Sequence, residues 1–184
     1  MTNIPHMIQY ANLLYSRYPE IQQSRKIGYI PDTIHQHSDF EIVNFIVSCI
    51  REISNQDSAY EVVNISRDVG ENFELPWHID DCALIRHSAN NRSDISTYTN
   101  VIDIIAGGKY TIYCKSAKRP KYSCIIYWSA QNKDFGGGTF EFADGVCIKP
   151  EMRKYVLFDS RDVHRVRQVL WGERKNVLLK FYDT

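Results

Sequence analysis

The sequence predicts a mainly β protein with helices at its N-terminal end, built as a double-sheet β-sandwich or jelly roll. Before Tyr60, apolar residues recur at helical spacing. After it, the pattern changes to short β-branched and aromatic runs, and turn residues such as Gly136-Gly137-Gly138 separate several of them. Leading helices followed by many short strands are typical of two packed sheets. The predicted strands are YEVVNIS, YTIYC, YSCIIYWS, GTFEF, KYVLF, VHRVRQVL and NVLLKFY.

Two helices are expected in the first third of the chain. The first begins at Asn3-Ile4-Pro5, where the proline falls in the first turn. The second begins at Ser38-Asp39-Phe40-Glu41, which matches an S-x-x-E capping box. We expect both helices to pack on the outside of a sheet. The apolar stripe predicted for the second helix is Val43, Ile46, Val47, Ile50 and Ile53.

The chain is expected to form one domain. Its 184 residues, 43% of them hydrophobic, can bury one sizeable core but are too few for two ordinary domains. In this single domain, 1–184, residues 1–58 provide helical support and residues 59–184 form the jelly-roll core. An insertion at about 86–120 is rich in Ser, Asn, Thr and Lys. We expect it on the rim of the sheets, either as a lid over the substrate or as an inert surface excursion.

Composition excludes several kinds of partner. Lys plus Arg and Asp plus Glu number 22 each, so no overall field attracts nucleic acid or an anionic membrane surface. The first twenty residues lack the basic start and apolar run of a signal peptide, and no apolar stretch approaches the length of a membrane span. The five cysteines are scattered, with no C-x-x-C pair. We therefore expect a cytoplasmic protein with reduced thiols and no nucleic-acid or membrane partner.

A metal site is indicated by two histidines and one aspartate. His78-Ile79-Asp80 stands where a strand is expected to leave the core, and side chains at i and i+2 of a strand share a face. His164 supplies a third ligand if it faces the same interior. Two histidines and one carboxylate form the facial triad of non-haem iron(II) oxygenases. Either histidine taken alone is better explained as an ordinary buried or surface residue.

Arg174 strengthens the metal hypothesis. It follows a turn and is expected to start the last strand, antiparallel to the strand that bears His164. An arginine inside a sheet needs an anionic partner, because an unpaired buried charge is costly, and its planar fork suits a carboxylate. A dicarboxylate that reaches from the metal to Arg174 would satisfy both groups. A solvent-exposed arginine beside a turn would not explain the spacing.

Four linked features resemble the 2-oxoglutarate oxygenases of the prolyl-hydroxylase type, over roughly Tyr60 to Tyr182. The resemblance implies a double-stranded β-helix, a cupin-like jelly roll. It also implies Fe(II), 2-oxoglutarate and O2, with ascorbate as a further candidate cofactor. In that family the residue aligned with Arg174 binds the far carboxylate of 2-oxoglutarate, and Tyr127 falls where a tyrosine donates its hydroxyl to it. The features are His78-x-Asp80, Gly137-Gly138-Thr139-Phe140, Phe158 through His164-x-Val166, and Gly172-x-Arg174.

By this resemblance the protein is expected to be a dioxygenase that hydroxylates a C–H bond and releases succinate and CO2. A peptidyl proline is the favoured substrate, and a lysine or a small metabolite is the alternative. Asp80 fills the coordination position that related halogenating enzymes leave for halide, which argues against halogenation. The chain departs from the family at Ser66-Arg67-Asp68, where a tyrosine often contacts the other end of 2-oxoglutarate. The stretch between Asp80 and Tyr127 is also much longer than in compact members.

Other readings stay open at the sequence level. A jelly-roll binding module without turnover and a cupin-like enzyme that uses metal without 2-oxoglutarate are the two alternatives from other classes. Lys180 shares the strand parity of Arg174, so it either contacts co-substrate or substrate or extends its stem to solvent at the strand end. His37-Ser38-Asp39 is a second H-x-D, but a helix start explains it better. His35-Gln36-His37 lacks an evident carboxylate or thiol partner and is expected to be a solvated loop.

Overall fold

The structure is a computed structural model that describes residues 4–80, 82–86, 100–105, 110–114 and 119–184. Its helices are α1 (Ile4–Arg17), α2 (Glu20–Gln23) and α3 (Asp39–Ser54). Its strands are β1 (Lys26–Tyr29), β2 (Tyr60–Val69), β3 (Leu75–His78), β4 (Cys82–Arg86), β5 (Asn100–Ile105), β6 (Tyr110–Cys114), β7 (Tyr122–Tyr127), β8 (Phe135–Gly137), β9 (Phe140–Phe142), β10 (Cys147–Ile148), β11 (Lys154–Asp159), β12 (His164–Val166), β13 (Val169–Gly172) and β14 (Arg174–Asp183).

Two antiparallel sheets form the body of the fold. The major sheet has the order β1-β11-β7-β14-β2, and the minor sheet has the order β10-β9-β12-β3. A core cluster lies between them and draws on both, which confirms the predicted jelly roll with N-terminal helices. Its buried members are Ile125, Tyr127, Phe140, Phe142, Ile148, Val156, Phe158, Val166 and Leu178.

Helix α3 covers the outer face of the major sheet, as predicted. It begins at Asp39, but the side chain of Ser38 makes no capping hydrogen bond, so the expected capping box is not formed. The buried stripe is also rotated relative to the prediction, because Cys49 packs inward on the sheet while three of the predicted residues are only partly buried. The buried residues are Ile42, Ile46, Cys49 and Ile50, and those partly buried are Val43, Val47 and Ile53.

Helix α1 packs at the other side of the molecule, beside the minor sheet. Its apolar face shares a cluster with Trp77 and Ile79, which flank the end of β3. The hydroxyl of Tyr15 in α1 donates to Asp162 at 2.5 Å, and Arg25 donates to the same carboxylate at 2.6 Å. The N-terminal helices therefore buttress the segments that carry His78 and His164.

The last strands differ from the prediction in one respect. VHRVRQVL was expected as a single strand, but it divides into β12 in the minor sheet and β13, which pairs with β8. Hydrogen bonds from Arg167 to Thr139 and from Gly138 to Gln168 hold the intervening segment. A change of sheet of this kind leaves no mark on hydrophobic alternation, so periodicity could not reveal it.

Part of the predicted insertion forms a third sheet. Strands β4, β6 and β5 pair in that order, and the apolar run from Val101 to Ile105 lies in β5. Much of the remainder of 86–120 lies outside the described residues, so its expected position over the site stays a prediction. No helix in the described ranges has both the length and the apolar character needed to cross a membrane.

Candidate metal and co-substrate site

The structure brings His78, Asp80 and His164 together. One potential ligand atom from each lies within 4.8 Å of the others. His78 ends β3 and is paired with His164 at the start of β12. Strand β3 ends at His78. The side chain of Ile79 packs in the hydrophobic cluster with α1, whereas the side chain of Asp80 lies on the same side as that of His78. Backbone alternation thus continues for two residues past the strand.

Backbone carbonyls orient both imidazoles. Nδ1 of His78 lies 2.7 Å from the carbonyl oxygen of Pro76, and Nδ1 of His164 lies 2.7 Å from that of Asp162. When Nδ1 carries the hydrogen and donates it, Nε2 keeps a lone pair for a metal. The two Nε2 atoms lie 3.9 Å and 3.5 Å from Oδ1 of Asp80. All three ligand atoms therefore face one point.

Two serines that the sequence analysis missed fix the carboxylate of Asp80. Ser123 Oγ donates to Oδ2 of Asp80, and Ser123 Oγ lies 2.9 Å from Ser160 Oγ. The backbone N–H of Asp80 donates to the carbonyl of Ser160 at 3.2 Å. Because Oδ2 is held in this way, Oδ1 is directed to the histidines. The available signal was parity, since Ser123 shares an inward face of β7 with Tyr127.

The electrostatics suit a divalent cation. Burial, followed by the nearby His164, lowers the pKa of His78 to about 4, so its imidazole is neutral at pH 7. Burial alone would raise the pKa of Asp80, but hydrogen bonding to His164 and the charges of His164, His78 and Lys180 lower it. A neutral imidazole and an ionised carboxylate are the protonation states that bind metal. The donor set thus fits the iron implied by the facial triad.

Arg174 and Tyr127 form a second polar group, in which Arg174 lines the same pocket as the histidines and Tyr127 lies behind it. Arg174 is 3% exposed; one terminal nitrogen donates to Asn176 at 2.7 Å and the other to the hydroxyl of Tyr127 at 3.4 Å. Its buried Nε has no hydrogen-bond partner among the described residues. Burial raises the pKa of Tyr127, so the phenol stays protonated and can donate. A buried guanidinium with an unused donor fits a carboxylate.

Two glycines near Arg174 stand where a side chain would not fit. At Gly138, where φ is +65°, an added Cβ would lie 3.1 Å from Cδ of Arg174 and 2.8 Å from the ring of Phe135. At Gly172, where φ is +75°, a Cβ would lie 2.2 Å from the carbonyl oxygen of Asp134. The Gly137-Gly138 and Gly172-x-Arg174 patterns therefore have steric causes.

One cavity of about 230 Å³ joins the two groups. His78 is the more accessible of the two histidines: its side chain is 27% exposed, compared with 4% for that of His164. Lys180 lines the cavity and is 6% exposed, so its side chain does not extend to solvent. The lining residues are Arg67, Phe73, Leu75, His78, Ile79, Asp80, Ile125, Phe140, His164, Val166, Arg174, Asn176, Leu178 and Lys180.

The structure corrects one detail of the sequence interpretation. Arg174 starts the last strand as expected, but β14 does not pair with β12; the strands belong to different sheets. Arg174 and His164 therefore reach one cavity from two sheets rather than from paired strands. The exposed His35 and His37 join no metal-binding cluster in the described part of the chain, which agrees with rejecting them.

Comparison with known proteins identifies the superfamily to which the chain belongs. The family model of the 2OG-Fe(II) oxygenase superfamily matches residues 62–183, and the chain belongs to this superfamily. A curated relative is 2-oxoglutarate and iron-dependent oxygenase domain-containing protein 3 of Xenopus tropicalis, 34% identical over 65 residues. The match covers 33% of this chain and 20% of that protein. The Mus musculus protein of the same name is also 34% identical over 65 residues, 33% of this chain and 21% of its own length.

Solved structures support the fold at low identity. The viral collagen prolyl hydroxylase of Paramecium bursaria Chlorella virus-1, as its 2OG complex, has a TM-score of 0.54 at 12% identity. The alignment covers 96% of this chain and 90% of that chain. A Pseudomonas putida prolyl-4-hydroxylase has a TM-score of 0.51 at 13% identity, with 97% and 83% covered. The shared jelly roll is therefore established independently of the sequence motifs.

Proposed function

We propose that this protein is an iron(II)- and 2-oxoglutarate-dependent dioxygenase that hydroxylates a C–H bond, with a peptidyl proline as the favoured target. His78, Asp80 and His164 would hold the iron. The single observation that carries the proposal is the shared cavity: the facial triad lines it together with buried Arg174, whose Nε has no hydrogen-bond partner among the described residues. A dicarboxylate such as 2-oxoglutarate can bind the metal of the triad at one end and Arg174 at the other.

Each residue has a separate task in this proposal. When bound, iron(II), 2-oxoglutarate and dioxygen supply the oxidising chemistry that converts 2-oxoglutarate to succinate and CO2 and adds one oxygen atom to a substrate C–H bond. Arg174 and Tyr127 donate to the far carboxylate and fix its position. Ser123 keeps one oxygen of Asp80 directed at the metal. Phe140 and Leu178 line the cavity and limit water around the reacting groups.

The choice of a peptide substrate rests on likeness alone. Two of the structures with the same fold are named prolyl hydroxylases, and one of them is a collagen prolyl hydroxylase. We extend that substrate class to this chain as part of the proposal. Hydroxylation of a lysine or of a small metabolite would use the same cavity and the same co-substrate.

Succinate formation tests the proposal. Purified protein with iron(II) and 2-oxoglutarate should release succinate, and a proline-containing peptide panel should show a mass increase of one oxygen atom. Asp80→Ala should abolish succinate release, because one of three metal ligands is lost. Asp57→Ala, at an exposed residue of the surface pair Arg51–Asp57, is the matched control and should keep parental turnover. A well-folded protein that binds iron but never forms succinate would instead be a binding module.

A further inference from the structure

The cavity carries more positive charge than the proposed co-substrate neutralises. Among the described residues, three basic side chains line it beside one carboxylate, that of Asp80. Bound iron(II) adds two positive charges, and 2-oxoglutarate brings two negative charges. Positive charge therefore remains in excess after both have bound, and such an excess is costly in a partly buried site unless a further anion balances it. The basic residues are Arg67, Arg174 and Lys180.

Among the three basic residues, Arg67 is the one without an assigned role in binding the co-substrate. Arg174 is already assigned to the far carboxylate. Lys180 lies towards Asp80, whose pKa its charge helps to lower. Arg67 points into the same cavity from β2, and no carboxylate among the described residues forms an ion pair with it. As far as the described residues go, its guanidinium is thus available to a ligand.

The position of Arg67 favours a ligand larger than 2-oxoglutarate. Tyr127, Asn176 and Arg67 form one row across β7, β14 and β2. Tyr127 is fully buried at the inner end of the row, and Arg67 is half-buried at the other end. Strand β2 is the edge of the major sheet, so Arg67 lies at the rim. A substrate that approaches the metal over this rim would pass the guanidinium.

We propose that Arg67 binds a carboxylate of the substrate, so that the enzyme prefers substrates with an acidic group close to the hydroxylated carbon. This inference rests on the proposed function and names the substrate class for it. Two carboxylate oxygens can accept hydrogen bonds from the planar guanidinium fork. The carboxylate can belong to an acidic side chain of a peptide or to the α-carboxylate of a free amino acid, and the experiment separates these two sources.

The test measures binding to protein that is loaded with iron(II) and 2-oxoglutarate under nitrogen. The probes are end-blocked proline peptides with Glu, Gln or Lys beside the proline, together with N-acetylproline and its amide. We expect the Glu peptides to bind about tenfold more tightly than the Gln peptides. Preference for N-acetylproline over its amide, without preference among the peptides, would identify an α-carboxylate instead.

Variants assign the preference to Arg67. Arg67→Gln should remove the preference for acidic probes, while its 2-oxoglutarate affinity stays within about twofold because Arg174 remains. Arg67→Glu should shift the preference to the Lys peptides. The control is Arg167→Gln, at an exposed arginine that pairs with Glu141 outside the cavity. It should keep the parental preference.

Three results would overturn the inference. They are equal binding of acidic and neutral probes, failure of every acidic probe to bind protein that does bind 2-oxoglutarate, and loss of 2-oxoglutarate affinity in Arg67→Gln with the probe preference intact. The last would place Arg67 in the co-substrate site. Failure of the proposed function is a separate observation, because it would appear as absent succinate formation by the parent protein whatever the probe preference.

Discussion

At the scale of single residues, the hydrogen bond from buried Ser123 orients the carboxylate of Asp80, which is a proposed metal ligand. Ser123 and Ser160 are fully buried, so no water competes for their hydroxyls. The carboxylate of Asp80 would otherwise rotate about its last side-chain bond and turn Oδ1 away from the histidines. Groups that orient a ligand in this way commonly change metal affinity when removed.

Ser123→Ala should therefore weaken iron(II) affinity by about tenfold. Metal titration under nitrogen measures this, and Ser123→Thr, which retains the hydroxyl, should recover part of the loss. Ser129→Ala is the matched control, because Ser129 is also buried but bonds to the backbone of Lys175 at the far end of β7. Equal affinities for the parent and Ser123→Ala would show that packing alone holds Asp80.

Gly138 gives a second prediction at this scale. Gly138→Ala should raise the dissociation constant for 2-oxoglutarate, since the new methyl group would press on Cδ of Arg174. Gly145→Ala is the control: its φ is +92°, yet an added Cβ would meet nothing within 4 Å. Both variants should lose about 1 kcal/mol of unfolding free energy from backbone strain, and Gly138→Ala should lose more because its methyl group also meets the ring of Phe135. Parental co-substrate binding by Gly138→Ala would mean that Arg174 moves freely.

Sequence reasoning picked out the proposed ligands but not the residues that support them. His78, Asp80, His164 and Arg174 stand out because their types and spacing form a motif that strand geometry explains. Ser123 and Asp80 are 43 positions apart, and only the folded sheets show that they touch. A contact between two side chains so far apart in the sequence leaves no local sequence pattern, so it could not be predicted.

At the scale of elements, the N-terminal helices are tied to the jelly roll by charged hydrogen bonds. Arg25 follows α2 and donates to Asp144 at 2.7 Å and to Asp162 at 2.6 Å. Burial raises the pKa of Asp144, but the hydrogen bonds from Arg25 and Gln22 outweigh it and lower the pKa below its usual 3.8. The ionised form of Asp144 is therefore favoured in the folded protein.

A depressed carboxylate pKa stabilises the fold at neutral pH and ceases to do so in acid. The contribution is full above the unfolded-state pKa and is lost as the pH falls through the lower folded-state pKa. Asp144→Asn should thus cost about 1 kcal/mol of unfolding free energy at pH 7. The difference from the parent should shrink below about pH 4. Urea unfolding at pH 7, 5 and 3 measures it.

The exposed pair Arg51–Asp57 provides the control for this prediction. The side chain of Asp57 is 87% exposed, compared with 21% for Asp144. Asp57→Asn should change the unfolding free energy by a few tenths of a kcal/mol at most, at every pH. A cost for Asp144→Asn that does not vary with pH would exclude its charge as the cause.

Among the elements, the long strands were predictable, whereas the short strands β8 and β10 were not. The sequences of β7, β11 and β14 are continuous apolar or alternating runs, and such runs predict strands. β8 and β10 have three and two residues, which is too short for any periodicity to be recognised. Their pairing depends on glycines and on neighbouring strands rather than on their own composition.

At the scale of the whole molecule, each of the two sheets carries a different part of the proposed site. The minor sheet carries His78 and His164, and the major sheet carries Tyr127 and Arg174. In the proposed enzyme, 2-oxoglutarate spans the gap between the sheets. Iron binding and co-substrate binding should therefore be separable by mutation, although they occupy one cavity.

Sequential titration under nitrogen tests this central claim most directly. The parent should bind one iron(II) ion and then one 2-oxoglutarate. Arg174→Ala should bind iron(II) like the parent and lose about 2–5 kcal/mol of 2-oxoglutarate binding energy. Asp80→Ala should lose both steps. Tight metal-dependent binding of 2-oxoglutarate by Arg174→Ala, or parental iron affinity in Asp80→Ala, would contradict the assigned site.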